Sequence, residues 1–182
     1  MQLFETNNFR TPFTEAPTLS NNDKLFVEVK MVGPSDATIQ MVNCWATPFG
    51  GQSQNELNNY RFDIIKDYCV TDDASNSIAA NILKNGESQN SQYEANVFKY
   101  NRNVGTDKVY LHCNVRVCFK DSQQCDIVGQ PSFCEAGGKR RRRRRDLDAE
   151  LALDPSITTV HAGPFTLVSD DVYQVVSDQL NS

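Results

Sequence analysis

Residues with chemistry to offer are few and unevenly placed. Six cysteines, Cys44, Cys69, Cys113, Cys118, Cys125 and Cys134, form an even set without the paired Cys-x-x-Cys units of a zinc site. A disulfide framework is the default reading, and with it passage through an oxidising compartment. Lys139, Arg140, Arg141, Arg142, Arg143, Arg144 and Arg145, followed by Asp146, satisfy Arg-x-Lys/Arg-Arg in overlapping registers. An extended run of this kind can present its guanidinium groups to the acidic cleft of a furin-like proprotein convertase. The competing reading is a nuclear-localisation or nucleic-acid patch. The cysteine framework argues against it, and no nucleic acid is expected as a partner. His112 and His161 are the two histidines, in no spacing suited to zinc or a catalytic triad. His112 is expected to be exposed on the outward face of its strand. Gly-x-Ser-x-Gly, a phosphate-cradling glycine loop and an Asp-rich calcium loop are absent from the sequence. No catalytic residue, cofactor or metal is therefore expected, and the chain is not read as an enzyme. Asn-x-Ser/Thr is absent too, so no N-linked glycan is expected.

Strands must position these groups. With 182 residues, 39% of them hydrophobic, the chain can bury one core of β-sandwich size. Strand-like segments run over 24–32, 37–46, 60–70, 94–100, 108–120 and 157–168, separated by Gly, Asn, Ser and Pro clusters with turn chemistry. The pattern implies an all-β, antiparallel sandwich. Alternation is clearest in 108–120, where Val109, Leu111, Cys113, Val115, Val117 and Phe119 share the expected core face. Cys118 then points away and can close locally on Cys125 across a polar loop. The inward Cys113 needs a cysteine from a facing strand, for which Cys44 is the natural choice. Cys69 and Cys134 are left for each other.

Charge divides the chain further. The basic run holds seven of the 18 Lys and Arg, and the other 11 face 23 Asp and Glu, a balance of −12. An acidic body with one basic cluster suits a protease target better than a nucleic-acid binder. Residues 1–23 are read as a linker and lead-in, 24–136 as the sandwich, 137–156 as an exposed, mobile linker with the cleavage site, and 157–182 as a separate strand and tail. No basic segment with an apolar stretch opens the chain and no run of about 18 apolar residues occurs. The sequence is accordingly expected to be a fragment, with any membrane anchor beyond Ser182.

Several segments taken in order resemble the C-terminal half, ZP-C, of a zona pellucida domain. Asn43-Cys44-Trp45-Ala46-Thr47-Pro48 resembles the family's opening cysteine motif, and Val109-Tyr110-Leu111-His112-Cys113-Asn114-Val115-Arg116-Val117-Cys118 its most specific stretch, followed at similar spacing by Cys125 and Cys134. The six cysteines are similar to those of the branch containing uromodulin, pancreatic granule glycoprotein and tectorin. What the resemblance implies is an immunoglobulin-like sandwich with pairings Cys44 to Cys113, Cys69 to Cys134 and Cys118 to Cys125, matching the strand-parity reading. It further implies a polymerisation module of an extracellular matrix or filament glycoprotein. An external hydrophobic patch, here Ile157, Val160, Phe165, Leu167 and Val168, is held against an internal patch, here Leu25, Phe26, Val27 and Val29. Convertase cleavage would free the external patch, and an apolar edge around Leu25 to Val29 is expected to be uncovered. Implied partners are the N-terminal half of the same domain, other subunits of the family and a furin-like convertase. A membrane is implied only through an anchor outside the fragment. The alternative reading is the ligand-binding ectodomain of a receptor or co-receptor of this fold.

Overall fold

Burial alternates over parts of Lys108–Phe119, and this strand becomes the centre of the largest sheet. The computed structural model describes residues 1–50, 60–100, 106–119, 134, 157–168 and 174–176. In chain order the strands are β1 (Gln2–Phe4), β2 (Thr18–Leu19), β3 (Lys24–Lys30), β4 (Ala37–Thr47), β5 (Phe62–Lys66) and β6 (Cys69–Val70), followed by helix α1 (Asp72–Ile78). Then come β7 (Asn81–Lys84), β8 (Asn90–Asn96), β9 (Phe98–Tyr100), β10 (Lys108–Phe119), β11 (Ile157–Leu167) and β12 (Gln174–Val176). One sheet has the order β1-β3-β8-β7 and the other β2-β11-β10-β4-β5-β6, while β12 pairs with β9. These layers enclose one core in an all-β, immunoglobulin-like sandwich, to which β3 contributes Leu25, Val27 and Val29 and β10 contributes Val109, Leu111, Cys113 and Val115.

The observed elements refine the sequence reading at several points. The segment 60–70 is a hairpin rather than one strand, because Asp67 and Tyr68 both take positive φ, 50° and 69°, the geometry of a two-residue turn with a twist matching its strands. Asp67 N–H donates to Asn43 Oδ1 at 2.8 Å and helps hold that turn. Helix α1 starts at Thr71, whose Oγ1 accepts from Ala74 N–H at 3.1 Å, and Asp72 and Asp73 sit favourably in its first turn. Residues 1–23 carry two short strands: β1 pairs with β3, and β2 pairs in parallel with β11. At the end of β10 the expected alternation fails. Phe119 is 50% exposed where the strand runs out, while Cys118 is buried without joining the core cluster.

Strand β4 is buried on both faces over most of its length and carries a bulge. Its Asn43 faces Asn114 and its Met41 faces Val115, so Val42 is the extra residue. Beside the bulge, the buried side chain of Asn85 reaches from the turn between β7 and β8 to the main chain of Met41. It accepts from Met41 N–H at 2.6 Å and donates to Met41 O at 3.0 Å. These bonds tie the two layers together through a buried amide. Asn85→Ala should therefore lower stability by about 2–3 kcal/mol, two buried hydrogen bonds being removed and main-chain groups left unpaired. Urea unfolding of the variant checks this, and a loss below about 0.5 kcal/mol would contradict the bridging role.

Candidate functional site

The site is the outer edge of β10 and the strand that covers it. From Lys108 to Arg116, β10 pairs antiparallel with β11, whose residues run from Thr166 back to Ile157. Within this pairing Tyr110 stands opposite two residues, Gly163 and Pro164, since Val109 faces Phe165 and Leu111 faces Ala162. Gly163 has φ of 106°, and a Cβ there would sit 3.0 Å from Val109 O. Only glycine suits that place. The Gly163–Pro164 peptide is cis.

This bulge switches which residues of β11 face inward. Before it, Val160 and Ala162 pack against the core; after it, Phe165 and Leu167 enter the core, at 0% and 4% exposure. Phe165 meets Phe98 edge-on at 6.3 Å between ring centroids. Val168 remains 39% exposed, and Ile157 is only partly buried. The apolar residues of β11 thus act unequally. Phe165 and Leu167 are the anchors, each worth roughly 1.5–3 kcal/mol on burial.

Leu25, Val27 and Val29 also lie in the core, but on β3 in the opposite sheet, and β3 is paired on both sides, with β1 and β8. Phe26 is half-buried and approaches Phe9 at 6.3 Å. The expectation that loss of β11 uncovers an apolar edge at Leu25 to Val29 is therefore corrected. Strand β3 pairs along its length with β8 and, over Phe26 to Glu28, with β1, and the edge that β11 covers belongs to β10.

On its opposite face β11 carries His161, paired in register with His112. His112 is not exposed as expected but 4% accessible. Trp45, its cross-strand neighbour on β4, stacks on it at 5.5 Å with an 18° interplanar angle. Arg61 lies 4.2 Å over the Trp45 ring and pairs with Asp63 at 2.5 Å. Outward parity alone misses this cover, because side chains from β4, β5 and β11 close over the face. Burial, then the charges of His161 and Arg61, lower the pKa of His112 from its ordinary 6.5 to about 4.

The hydrogen bonds assign the tautomers. Thr47 Oγ1–H donates to Phe49 O at 2.8 Å, so Thr47 Oγ1 accepts from His112 Nε2–H at 2.7 Å. His112 Nδ1 then carries a lone pair and accepts from His161 Nδ1–H, also at 2.7 Å. Thr159 Oγ1, two residues earlier on β11, donates to Asn114 Oδ1 at 2.9 Å.

Cys44 and Cys113 are bonded, with their Cα atoms 4.1 Å apart. They occupy facing positions on neighbouring strands of one sheet, rather than reaching across the sandwich. Cys69 and Cys134 are bonded as well. Cys118 is disulfide-bonded, while Cys125 lies outside the described residues, as do Lys139 to Arg145 and Asp146. Among the described residues no cluster of three His, Cys, Asp or Glu could hold a metal ion, and no helix is long and apolar enough to cross a membrane.

Comparison with known proteins places these elements in context. The zona pellucida family model, described as the ZP-C domain, matches residues 1–126. Mouse uromodulin is 31% identical over 130 residues, 69% of this chain and 18% of that protein. The mouse pancreatic secretory granule membrane major glycoprotein GP2 is 27% identical over 157 residues, 85% of this chain and 27% of that protein. Human uromodulin-like 1 is 28% identical over 121 residues, 66% of this chain and 8% of that protein. The chain thus spans about a fifth to a quarter of the length of the first two.

If Phe165 anchors β11, its truncation must cost far more than that of an exposed neighbour. Phe165→Ala should lower unfolding free energy by about 3–5 kcal/mol and Val168→Ala by less than about 0.5. Equal losses in denaturant titrations would contradict the anchoring role.

Proposed function

We propose, from the premise that this chain belongs to the zona pellucida family through its ZP-C domain, that it is a polymerisation module kept assembly-incompetent by its own strand β11. Its parent is a secreted or membrane-anchored glycoprotein of an extracellular matrix or filament. A furin-like convertase cuts within residues 139–145 and allows β11 to leave. Assembly then proceeds with the N-terminal half of the domain and with other subunits of the family, identical or different. The role is structural and not enzymatic.

One observation carries this reading. Strand β11 lies between β10 and the short β2, yet the sequence holds no cysteine after Cys134. A cut anywhere in 139–145 would leave β11 attached by hydrogen bonds and apolar contacts alone. Before cutting, the intervening chain keeps the strand at high effective concentration beside its edge, so modest burial suffices to hold it. After cutting, a released strand no longer returns by the same route. It leaves unpaired main-chain groups along β10 and a gap where Phe165 and Leu167 stood, an edge suited to pairing with another chain. The name of the pancreatic relative, a secretory granule membrane glycoprotein, accords with passage through the secretory pathway.

Replacing Arg140 to Arg145 with alanine should give a folded, secreted precursor that does not assemble, because β11 keeps its tether. Assembly followed by electron microscopy and sedimentation checks this. An arginine-free precursor that polymerises as readily as the cleaved one would contradict the blocking role.

A further inference from the structure

We propose that the His112–His161 pair is an acid-sensitive latch: it holds β11 on β10 at neutral pH and loosens the strand when a proton enters between the two rings. This rests on the reading of β11 as a releasable strand, and adds a condition on when release occurs.

The geometry supplies the reason. His112 donates through Nε2–H to Thr47 and accepts at Nδ1 from His161 Nδ1–H. Both of its ring nitrogens are therefore committed, and the one open to a proton is the Nδ1 that holds His161. When His161 carries hydrogens on both ring nitrogens and cannot become the acceptor, a proton there converts the 2.7 Å contact from a hydrogen bond into two opposed N–H groups. A proton on His161 would instead enter at Nε2 and leave its Nδ1–H donor in place. His161 is exposed on β11 while His112 is buried beneath it, so the strand itself shields the acceptor.

The surroundings do not neutralise a charge on His112. From β4 it meets Trp45 and Thr47, which carry none. Arg61, just before β5, adds a cation over Trp45, and the carboxylate of Asp63 on β5 is already engaged by Arg61. Strand β11 presents His161 and the neutral Thr159, and the same face of β10 carries Tyr110 and Asn114, with Lys108 and Arg116 beyond them. A new positive charge would thus be opposed by His161 and Arg61, which favours departure of the strand bearing His161.

Docking binds fewer protons than release, because the docked His112 has a lowered pKa. Docking is consequently strongest above about pH 6.5. It weakens by up to about tenfold per pH unit as pH falls from there toward about 4.

The test uses the full chain with a site-specific protease sequence in place of Arg140 to Arg145, cut in solution, so that it does not depend on convertase recognition. Retention of the C-terminal piece by the body is measured by native size exclusion and mass spectrometry. Wild type should hold the piece about tenfold more weakly near pH 5.5 than near pH 7.5. His112→Gln, whose amide can still donate to Thr47 and accept from His161, should hold it equally at both. Equal retention by wild type at the two pH values, or an unchanged pH dependence in His112→Gln, overturns the latch. Should the variant fail to fold, ring-proton NMR of the uncut wild-type chain decides, with only two histidines to assign. Titration of His112 must then coincide with loss of amide protection along β11; titration without that loss overturns the proposal. Neither measurement reads assembly, so failure of the latch leaves the blocking role standing. Polymerisation of the arginine-free precursor would remove the blocking role and leave the latch.

Discussion

The two edges of β10 are held in different ways. On one side Cys113 is bonded to Cys44 and the strand pairs with β4 from Tyr110 to Phe119. On the other side β11 is joined by main-chain and side-chain hydrogen bonds and by side-chain burial, without a cysteine of its own. A disulfide constrains the chain whether or not neighbouring contacts persist, whereas a paired strand stays only while its interactions outweigh the freedom gained on leaving. The sheet is therefore covalently fixed up to β10 and conditionally extended beyond it. That asymmetry makes β11 the element able to leave without dissolving the rest.

Two features of the sequence adapt β11 to such a place. The bulge at Gly163 and Pro164 turns Val160 and Ala162 to the core on one side and Phe165 and Leu167 on the other. It also leaves His161 on the opposite face, against His112. The strand is thus anchored by apolar burial on one face and by a polar contact on the other, with different sensitivities to solvent conditions. Further along, β12 pairs with β9, so the C-terminal part of the chain touches the body at a second point. Release of the whole segment must break this pairing and those of β11 with β10 and β2.

The sequence made the long strands legible because their side-chain period is read directly: β3, β4, β10 and β11 lie close to the segments marked by alternation. Short elements were not, since two or three residues of β1, β2 or β6 carry too few alternations to register. Helix α1 had a signal in Thr71 followed by Asp72 and Asp73, an N-cap with acidic first-turn residues. It was hidden inside a polar stretch between strands. The site was partly readable. Pairing Cys44 with Cys113 as neighbours would have set Trp45 beside His112, and with it a covered rather than exposed histidine. The strand partnered by β11 was beyond reach, because sheet order depends on which edges remain open after every strand has paired, and no local pattern records that.

The central claim is that β11 must leave β10 before the module can assemble. A covalent lock across that edge tests it most directly. Asn114 and Thr159 face each other on β10 and β11 with side chains already in contact at 2.9 Å, so Asn114→Cys with Thr159→Cys would bridge the strands. In the full-length precursor, cut within the basic run, the oxidised lock should give subunits that remain unassembled, and mild reduction of the added bridge should restore assembly. Oxidised subunits that polymerise as fast as the unlocked protein would contradict the account.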